Sequence, residues 1–294
     1  MKTILLLSAI TFGILFPYGE QYTFLIRYLL MVLLFFSFLD IKFDKDIVTK
    51  KHFILLIIMI VSPVIIYYLI NGFNHVLAQA AFIASAAPTA IAAPVIISLK
   101  RKRVEFTMIS LILSNAAVAI LLPFILPTIL GNGKDISVIQ VLVPVLITFA
   151  IPLLASQIFK YALPKVWCVL VGCKDSSFYI LVANIYIATS DASSYIRNEL
   201  SSSIGIVFLI GLTIAILCVA YFGLGWLIGG KEYAHEASQS LGQKNNAFTI
   251  WIALTFMNPV AALGPVFYVL FQNGYISWEL YKHGHSKEQS LQSK

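Results

Sequence analysis

The stretch Gln239-Ser-Leu-Gly-Gln-Lys-Asn-Asn246 interrupts an otherwise apolar segment of the chain, residues 232–256. A run of amides with a glycine and a lysine carries polar groups that lipid cannot satisfy, so this stretch must face protein or water. A second interruption, Pro88-Thr-Ala-Ile-Ala-Ala-Pro94, lies in the apolar segment 76–98. Proline removes a backbone donor and clashes with the preceding turn of a helix. The two stretches therefore predict two broken helices inside a membrane.

The composition around these stretches is that of an all-α integral membrane protein. Of the 294 residues, 60% are apolar and only 11% are charged, which excludes a water-soluble fold. Because a transmembrane helix needs about 20 apolar residues, the length allows about ten crossings and no separate soluble domain. Charges, glycine, proline and asparagine divide the chain into ten apolar segments, at residues 3–17, 21–39, 52–70, 76–98, 104–128, 136–159, 176–190, 203–228, 232–256 and 257–280.

The two interrupted segments are the fourth and the ninth of the ten. Each half of five helices has an odd count, so the second half enters the membrane from the opposite side. Broken helices at matching places in two such halves are typical of an inverted-repeat transporter. We therefore predict one transmembrane domain over residues 1–294, with one repeat near 1–130, another near 135–282 and a cytoplasmic tail at 283–294. The alternative is a pair of unrelated kinks.

The positive charges predict the orientation of the chain. With a cytoplasmic N-terminus, sixteen of the twenty Lys and Arg residues fall on the inner side, which predicts that both termini are cytoplasmic in an inner (plasma) membrane. The run Lys100–Arg103 is then a cytoplasmic anchor, so the net charge of +7 does not require a nucleic acid partner. Arg27 can reach the outer headgroups and is predicted to be an anchor there.

Four stretches of the chain resemble the bile acid:sodium symporter family. They are Phe35-Phe-Ser-Phe-Leu-Asp-Ile-Lys-Phe43, Ala87-Pro-Thr-Ala-Ile-Ala-Ala-Pro-Val95, Leu241-Gly-Gln-Lys-Asn245 and Ala261-Ala-Leu-Gly-Pro-Val-Phe-Tyr-Val-Leu-Phe-Gln-Asn273. Members of the family are ten-helix inverted-repeat carriers of bile acids and small organic acids. The resemblance implies a core domain in which discontinuous helices 4 and 9 cross, and a panel domain of helices 1, 2, 6 and 7. Alternating access would rock one domain against the other.

The departures from the family pattern fall on its two sodium sites. The family's oxygen ligands on helices 4, 5 and 9 are replaced here by Ala93, Pro94, Asn115, Ala119, Ser240 and Lys244. These changes remove most of the side-chain oxygens and the only carboxylate, and they add a cation. We therefore predict sodium-independent transport, with Lys244 in place of a bound cation and Ser240 and Asn115 beside it. The alternative is a sodium-coupled symporter that uses a residual site.

The resemblance also implies a substrate site beside the two breaks. It assigns Thr89, Asn245 and Asn273 to the binding of a small or amphipathic organic anion, and Lys244 is the nearest positive charge. A Lys244 that gains and loses its proton would couple transport to protons, whereas a permanently charged Lys244 would give a uniporter or a carrier locked in one state. His235 and Glu236, just before the ninth-helix break, are candidates for a proton relay.

Two other classes compete with a carrier. An integral-membrane enzyme acting on lipid would need a G-x-S-x-G elbow, an H-E-x-x-H zinc helix or intramembrane carboxylates, and the sequence has neither motif and no Asp or Glu deep in any span. A structural or receptor-like bundle would not need paired broken helices. We therefore expect no catalytic activity, no metal and no cofactor; the sequence leaves the oligomeric state open.

Overall fold

A computed structural model describes residues 2–39, 48–90, 92–130, 137–173, 176–198 and 204–292. Five of the twenty basic residues counted for the orientation lie outside these ranges, namely the lysines at 42, 45, 134, 174 and 294. The last four residues of the stretch that ends at Phe43 also lie outside them. Within the described ranges the chain is almost entirely helical and has no strand. Its helices are α1 Lys2–Leu15, a 3-10 helix Pro17–Tyr22, α2 Leu25–Phe38, α3 Lys50–Asn71, α4 His75–Ser85, α5 Ala92–Leu99, α6 Val104–Leu130, α7 Val138–Ala162, α8 Pro164–Gly172, α9 Ser177–Asn198, α10 Ile204–Gly242, α11 Asn246–Phe256 and α12 Pro259–Gln292.

Several of these helices suit a lipid environment. In the described part of the chain, α3, α6, α7 and α10 are each long and apolar enough to cross a bilayer, and α8 with α9 would add a fifth span if the bent pair is one crossing. Their outer faces carry large exposed apolar side chains, including Ile57 at 60%, Leu69 at 75% and Leu227 at 74% exposure. Apolar surface on this scale is favourable only against lipid or another protein. The chain is therefore an integral membrane protein.

The helix α10 reverses its direction at Gly230. This residue has φ +60° and ψ −152°, a conformation that glycine adopts without strain, and Tyr233 is also non-helical. The limb after the turn packs back on the limb before it, because Ser238 Oγ donates a hydrogen bond of 2.8 Å to the carbonyl of Phe222. The predicted boundary between the apolar segments 203–228 and 232–256 is therefore confirmed. We call residues 231–242 the second limb of α10.

Both predicted interruptions are present. The fourth segment is divided into α4 and α5, and the ninth into the second limb of α10 and α11. Two features were not predicted: the short helix α8, and the extension of α12 to Gln292, well beyond residue 280.

The helices α4 and α11 each have 11 residues, which corresponds to about 16 Å, or half of the hydrocarbon thickness of a bilayer. The start of α4 is set by Asn74, whose side chain accepts a hydrogen bond of 2.9 Å from the backbone N–H of Leu77. A half-span helix brings its inner end, and with it the chain break, close to mid-membrane when its outer end lies at the interface. Their equal length therefore puts both breaks at the same distance from the far ends of the two half-helices.

Close packing of small residues joins α4 to α12. Gly264 lies so near α4 that a Cβ atom there would come within 2.9 Å of the carbonyl carbon of Ala80. Ala80, Ala84, Ala261 and Ala262 are all fully buried at this contact region. Small residues allow helix backbones to approach closely in membranes. The helix that carries Gln272 and Asn273 is thereby held against the half-helix that ends at the first break.

Candidate functional site

The two breaks pair with each other through their backbones. Thr89 and Lys244 form an antiparallel bridge. The N–H of Ala90 donates to the carbonyl of Gln243 at 2.7 Å, and the N–H of Asn245 donates to the carbonyl of Pro88 at 2.8 Å. Backbone groups released by the helix breaks are thus satisfied by the opposite break. This crossing of two interrupted helices is the candidate site.

Lys244 lies at the centre of the crossing. Its side chain is fully buried, and Nζ donates a hydrogen bond of 3.0 Å to the carbonyl of Ser85. Ser85 is the last residue of α4, where carbonyl groups have no partner within the helix and carry the negative end of the helix dipole. The ring centroid of Tyr221 lies 4.3 Å from the same nitrogen. Among the described residues, no carboxylate forms an ion pair with Lys244.

Thr89, Ser240 and Asn115 surround the first break. Thr89 Oγ1 donates to the carbonyl of Ser240 at 2.7 Å, and Asn115 Nδ2 donates to the carbonyl of Thr89 at 3.1 Å. The Ser240 hydroxyl turns away and donates to the carbonyl of Glu236 on its own helix at 2.8 Å. The structure therefore brings these three predicted residues together, although the Ser240 side chain already has a partner.

Asn245 and Asn273 have different surroundings. Asn245 is buried at the second break, and its Nδ2 has no hydrogen-bond partner among the described residues. Asn273 is half-buried and donates to the carbonyl of Val269 on α12 at 2.7 Å. The residue of α12 that reaches the break is Gln272, whose Oε1 accepts from the backbone N–H of Lys244 at 2.9 Å. Gln272 was not predicted as a site residue, because its only signal in the sequence is an amide beside Asn273 in an apolar helix.

Unpartnered polar atoms are concentrated around the crossing. Within the described part of the chain, these buried side-chain atoms here have no hydrogen-bond partner: Asn115 Oδ1, Gln243 Oε1, Asn245 Nδ2 and Asn246 Oδ1. An unsatisfied buried polar group costs about 1–3 kcal/mol. Groups of this kind, gathered in one place, are suited to binding a polar ligand or water from outside the chain.

The predicted proton-relay pair is divided by the fold. Glu236 is buried, and its Oε1 accepts a hydrogen bond of 3.0 Å from the backbone N–H of Arg103, just before α6. A carboxylate at this position stabilises the start of a helix. His235 points elsewhere, and its Nδ1 lies 2.6 Å from Nζ of Lys100 and 3.3 Å from Oε1 of Glu279.

Two expectations about charged residues were wrong. Lys100 is not a surface anchor, because its side chain is 2% exposed and pairs with Glu279. Glu279 and Glu236 are buried near the ends of their apolar segments, so the expectation that no acidic residue lies deep in a span stays a prediction. Arg27 is not directed to headgroups: its Nε donates to Thr148 Oγ1 at 3.1 Å, and its guanidinium lies 5.8 Å from the ring centroid of Trp251.

Comparison with known proteins does not assign the chain to a family. No protein-family model matches it. No curated protein matches it either.

Proposed function

We propose that the protein is a secondary carrier that moves a small or amphipathic organic anion across the membrane by alternating access. The observation that carries this proposal is the buried ammonium of Lys244 at the crossing of two broken helices, without a carboxylate partner in the described residues. A buried cation of this kind favours an anionic ligand, and paired broken helices are the usual setting of a transport site. Binding and release require no catalytic step.

We infer a fold of two inverted five-helix repeats, as in the bile acid:sodium symporter family. In this assignment α4 with α5 is helix 4, and the second limb of α10 with α11 is helix 9. The panel domain comprises α1, α2, α7 and α9. This grouping is supported by the packing of α1 against α9 and of α2 against both α7 and α9. We propose that the carrier lies in the inner (plasma) membrane with both termini in the cytoplasm.

The proposed substrate site lies on the outer-facing side of the crossing. Asn245 supplies an unpartnered amide donor, Lys244 supplies positive charge, and α5 and α11 begin at the breaks. Helix N-termini favour anions. Asn273 would contact the substrate from α12 after release of its bond to Val269, and Thr89 would contribute mainly by shaping the break, since its hydroxyl is bonded to Ser240.

Sodium independence is part of the proposal. The ammonium of Lys244 supplies a positive charge at the crossing, and the hydroxyl of Ser240 is bonded within its helix. One observation favours the second candidate, a sodium-coupled symporter. Asn115, Gln243 and Asn246 each present an unpartnered amide oxygen near the crossing, and such oxygens are ligands that hard cations accept.

Uptake into proteoliposomes separates the two candidates. Organic anions that raise the melting temperature of the purified protein are tested for uptake with sodium replaced by choline, with and without a pH gradient. The lysine-based carrier predicts uptake without sodium that is lost in Lys244→Gln. If Lys244→Arg retains uptake, the lysine acts as a fixed charge. If Lys244→Arg loses uptake, a proton-carrying role of Lys244 is favoured. The exposed Lys165→Gln is the control. Uptake that stops without sodium would exclude the lysine-based mechanism.

A further inference from the structure

A group of three titratable side chains lies one to two helical turns from the crossing. Lys100, which follows α5, hydrogen-bonds Glu279 of α12, and both contact Nδ1 of His235 on the second limb of α10, at 2.6 Å from the lysine nitrogen and 3.3 Å from the glutamate oxygen. The side chains of Lys100 and Glu279 are 2% and 10% exposed, whereas that of His235 is 30% exposed. Only the histidine has substantial access to solvent.

A cavity of about 440 Å³ adjoins the exposed side of His235. Its charged lining consists of Lys102, Lys231, Glu232 and Glu236, and the ring of Trp226 contacts the histidine edge-on with centroids 4.6 Å apart. On α12, the titratable side chain nearest to Glu279 in sequence on the N-terminal side is Tyr275, one helical turn before it.

Arg103 hydrogen-bonds Glu232 at 2.8 Å. The hydrogen bonds of Arg103 to Glu232 and then Tyr233 raise the pKa of its guanidinium, so Arg103 does not titrate in the physiological range. Of the three side chains in the group, His235 is the one that lines the cavity, so it is the point of contact for a proton from there.

The three contacts cannot all be hydrogen bonds in one protonation state. A neutral Nδ1 without hydrogen accepts from the Lys100 ammonium and offers nothing to Glu279. An Nδ1 that carries a hydrogen donates to Glu279 and cannot accept from Lys100, and once both ring nitrogens are protonated the ring faces the Lys100 ammonium as a second cation. The neutral-histidine state has a net charge of zero, because the ammonium and the carboxylate cancel. Binding one proton gives the group a net charge of +1 in a buried place. The hydrogen bond of His235 Nδ1 then goes to Glu279 of α12 and no longer to Lys100, which follows α5.

We propose that Lys100, His235 and Glu279 form a site that binds one proton from this cavity, with the proton held between His235 Nδ1 and Glu279. The proton is taken from water, and no other bond is made or broken. This site differs from the pair His235 and Glu236 expected from the sequence, because Glu236 is engaged at the start of α6. The proton-binding site does not depend on what the protein transports.

Proton binding at this site acts on the crossing through Gln239. Its Nε2 donates to Glu279 Oε2 at 2.7 Å, while its Oε1 is buried and unpartnered among the described residues. One turn further along the same limb, the carbonyl of Gln243 accepts the N–H of Ala90 in the crossing. When protonated His235 donates to Glu279 Oε1, it competes there with Lys100, and any movement of the carboxylate is passed to Gln239 on Oε2. The second limb of α10 and α5 are thus loosened at acidic pH.

The test uses the purified full chain in nanodiscs, labelled with ¹⁵N-histidine and titrated by NMR. The His235 signals are assigned by their loss in His235→Asn, which keeps an acceptor for Lys100 and removes the titration. We expect protonation at Nδ1. Glu279→Gln should weaken proton binding about tenfold or more, and Lys100→Met should strengthen it by a similar factor. If Glu279→Gln does not fold, the double variant Lys100→Met with Glu279→Gln leaves a neutral pair and should bind the proton with near wild-type affinity.

Hydrogen–deuterium exchange over residues 237–246 measures the effect on the crossing. After correction for intrinsic rates, exchange should increase as His235 becomes protonated in the wild type and stay constant in His235→Asn. The exposed His75→Asn should behave as the wild type. A His235 signal that is indifferent to both charge variants would overturn the proton site. A pH-dependent exchange that persists in His235→Asn would overturn its connection to the crossing.

Discussion

Replacement of Lys244 by methionine distinguishes a functional lysine from a structural one. Methionine preserves much of the length and apolar surface of the side chain and removes only the ammonium group. In the structure this group is fully buried, with the carbonyl of Ser85 at 3.0 Å and the ring centroid of Tyr221 at 4.3 Å. The effect on stability is therefore the balance between one desolvated charge and two contacts.

The expected change in the free energy of unfolding is small. A lysine at mid-membrane costs about 3 kcal/mol on insertion scales, and this cost disappears in Lys244→Met. Its charge-assisted hydrogen bond contributes about 2 kcal/mol, and a desolvated cation–π contact contributes about 2 kcal/mol. The variant should thus be less stable by only about 1 kcal/mol, the difference between about 4 and about 3 kcal/mol. Anion uptake, by contrast, should be abolished.

Denaturant unfolding in detergent and uptake into proteoliposomes are measured on the same preparations. Lys165→Met, at an exposed position of α8, is the matched control and should leave both quantities unchanged. A loss of stability above about 3 kcal/mol would show that Lys244 holds the crossing together, because losses of that size come from broken buried networks. Normal uptake by a stable Lys244→Met variant would remove the ammonium from the transport mechanism.

Three further predictions concern packing, helix capping and binding. Gly264→Ala should reduce stability by about 3 kcal/mol or prevent folding, because the new Cβ overlaps the backbone of Ala80; thermal unfolding measures this, and a stable variant would contradict the close approach of α4 and α12. Asn74→Ala should cost about 1 kcal/mol in the same assay through loss of the cap of α4, with no change in anion binding. Asn245→Ala or Asn273→Ala should weaken anion binding by about 1–3 kcal/mol in isothermal titration calorimetry if either makes a buried bond to the ligand, and unchanged binding in both would place the substrate elsewhere.

The positions of the two breaks could be predicted because their chemistry is local. Pro88 lies in the first break and Pro94 in the first turn of α5, where a helix tolerates proline, and the polar run from Gln239 to Asn246 cannot face lipid. The same holds for the turn at Gly230, where a charge and paired glycines end an apolar run. Helix existence in a membrane protein follows largely from apolar length, so most of the described helices overlap the apolar segments, with α8 and the end of α12 as the exceptions.

The partners of the charged residues could not be predicted, because they join helices far apart in the sequence. Lys100 and Glu279 are separated by 179 positions, and Arg27 and Thr148 by 121. A lysine that follows an apolar helix is predicted to be an anchor when only the sequence is known. The carboxylate that pairs with Lys100 belongs to α12 and becomes evident only in the fold. Gln272 was missed for the same reason: neighbouring amides on α12 face different directions, and only packing decides which one meets the break.

The main-chain pairing of the two breaks separates the architecture of the crossing from its chemistry. The bonds between Ala90 and Gln243 and between Asn245 and Pro88 use no side-chain atoms, so a change of side chain at Thr89 or Lys244 leaves them intact. Only proline at position 90 or 245 would remove one of these donors. Random mutation of the side chains at the crossing should therefore yield many folded variants with altered ligand preference. The crossing is thus a region in which one ligand chemistry can be exchanged for another during evolution without loss of the fold.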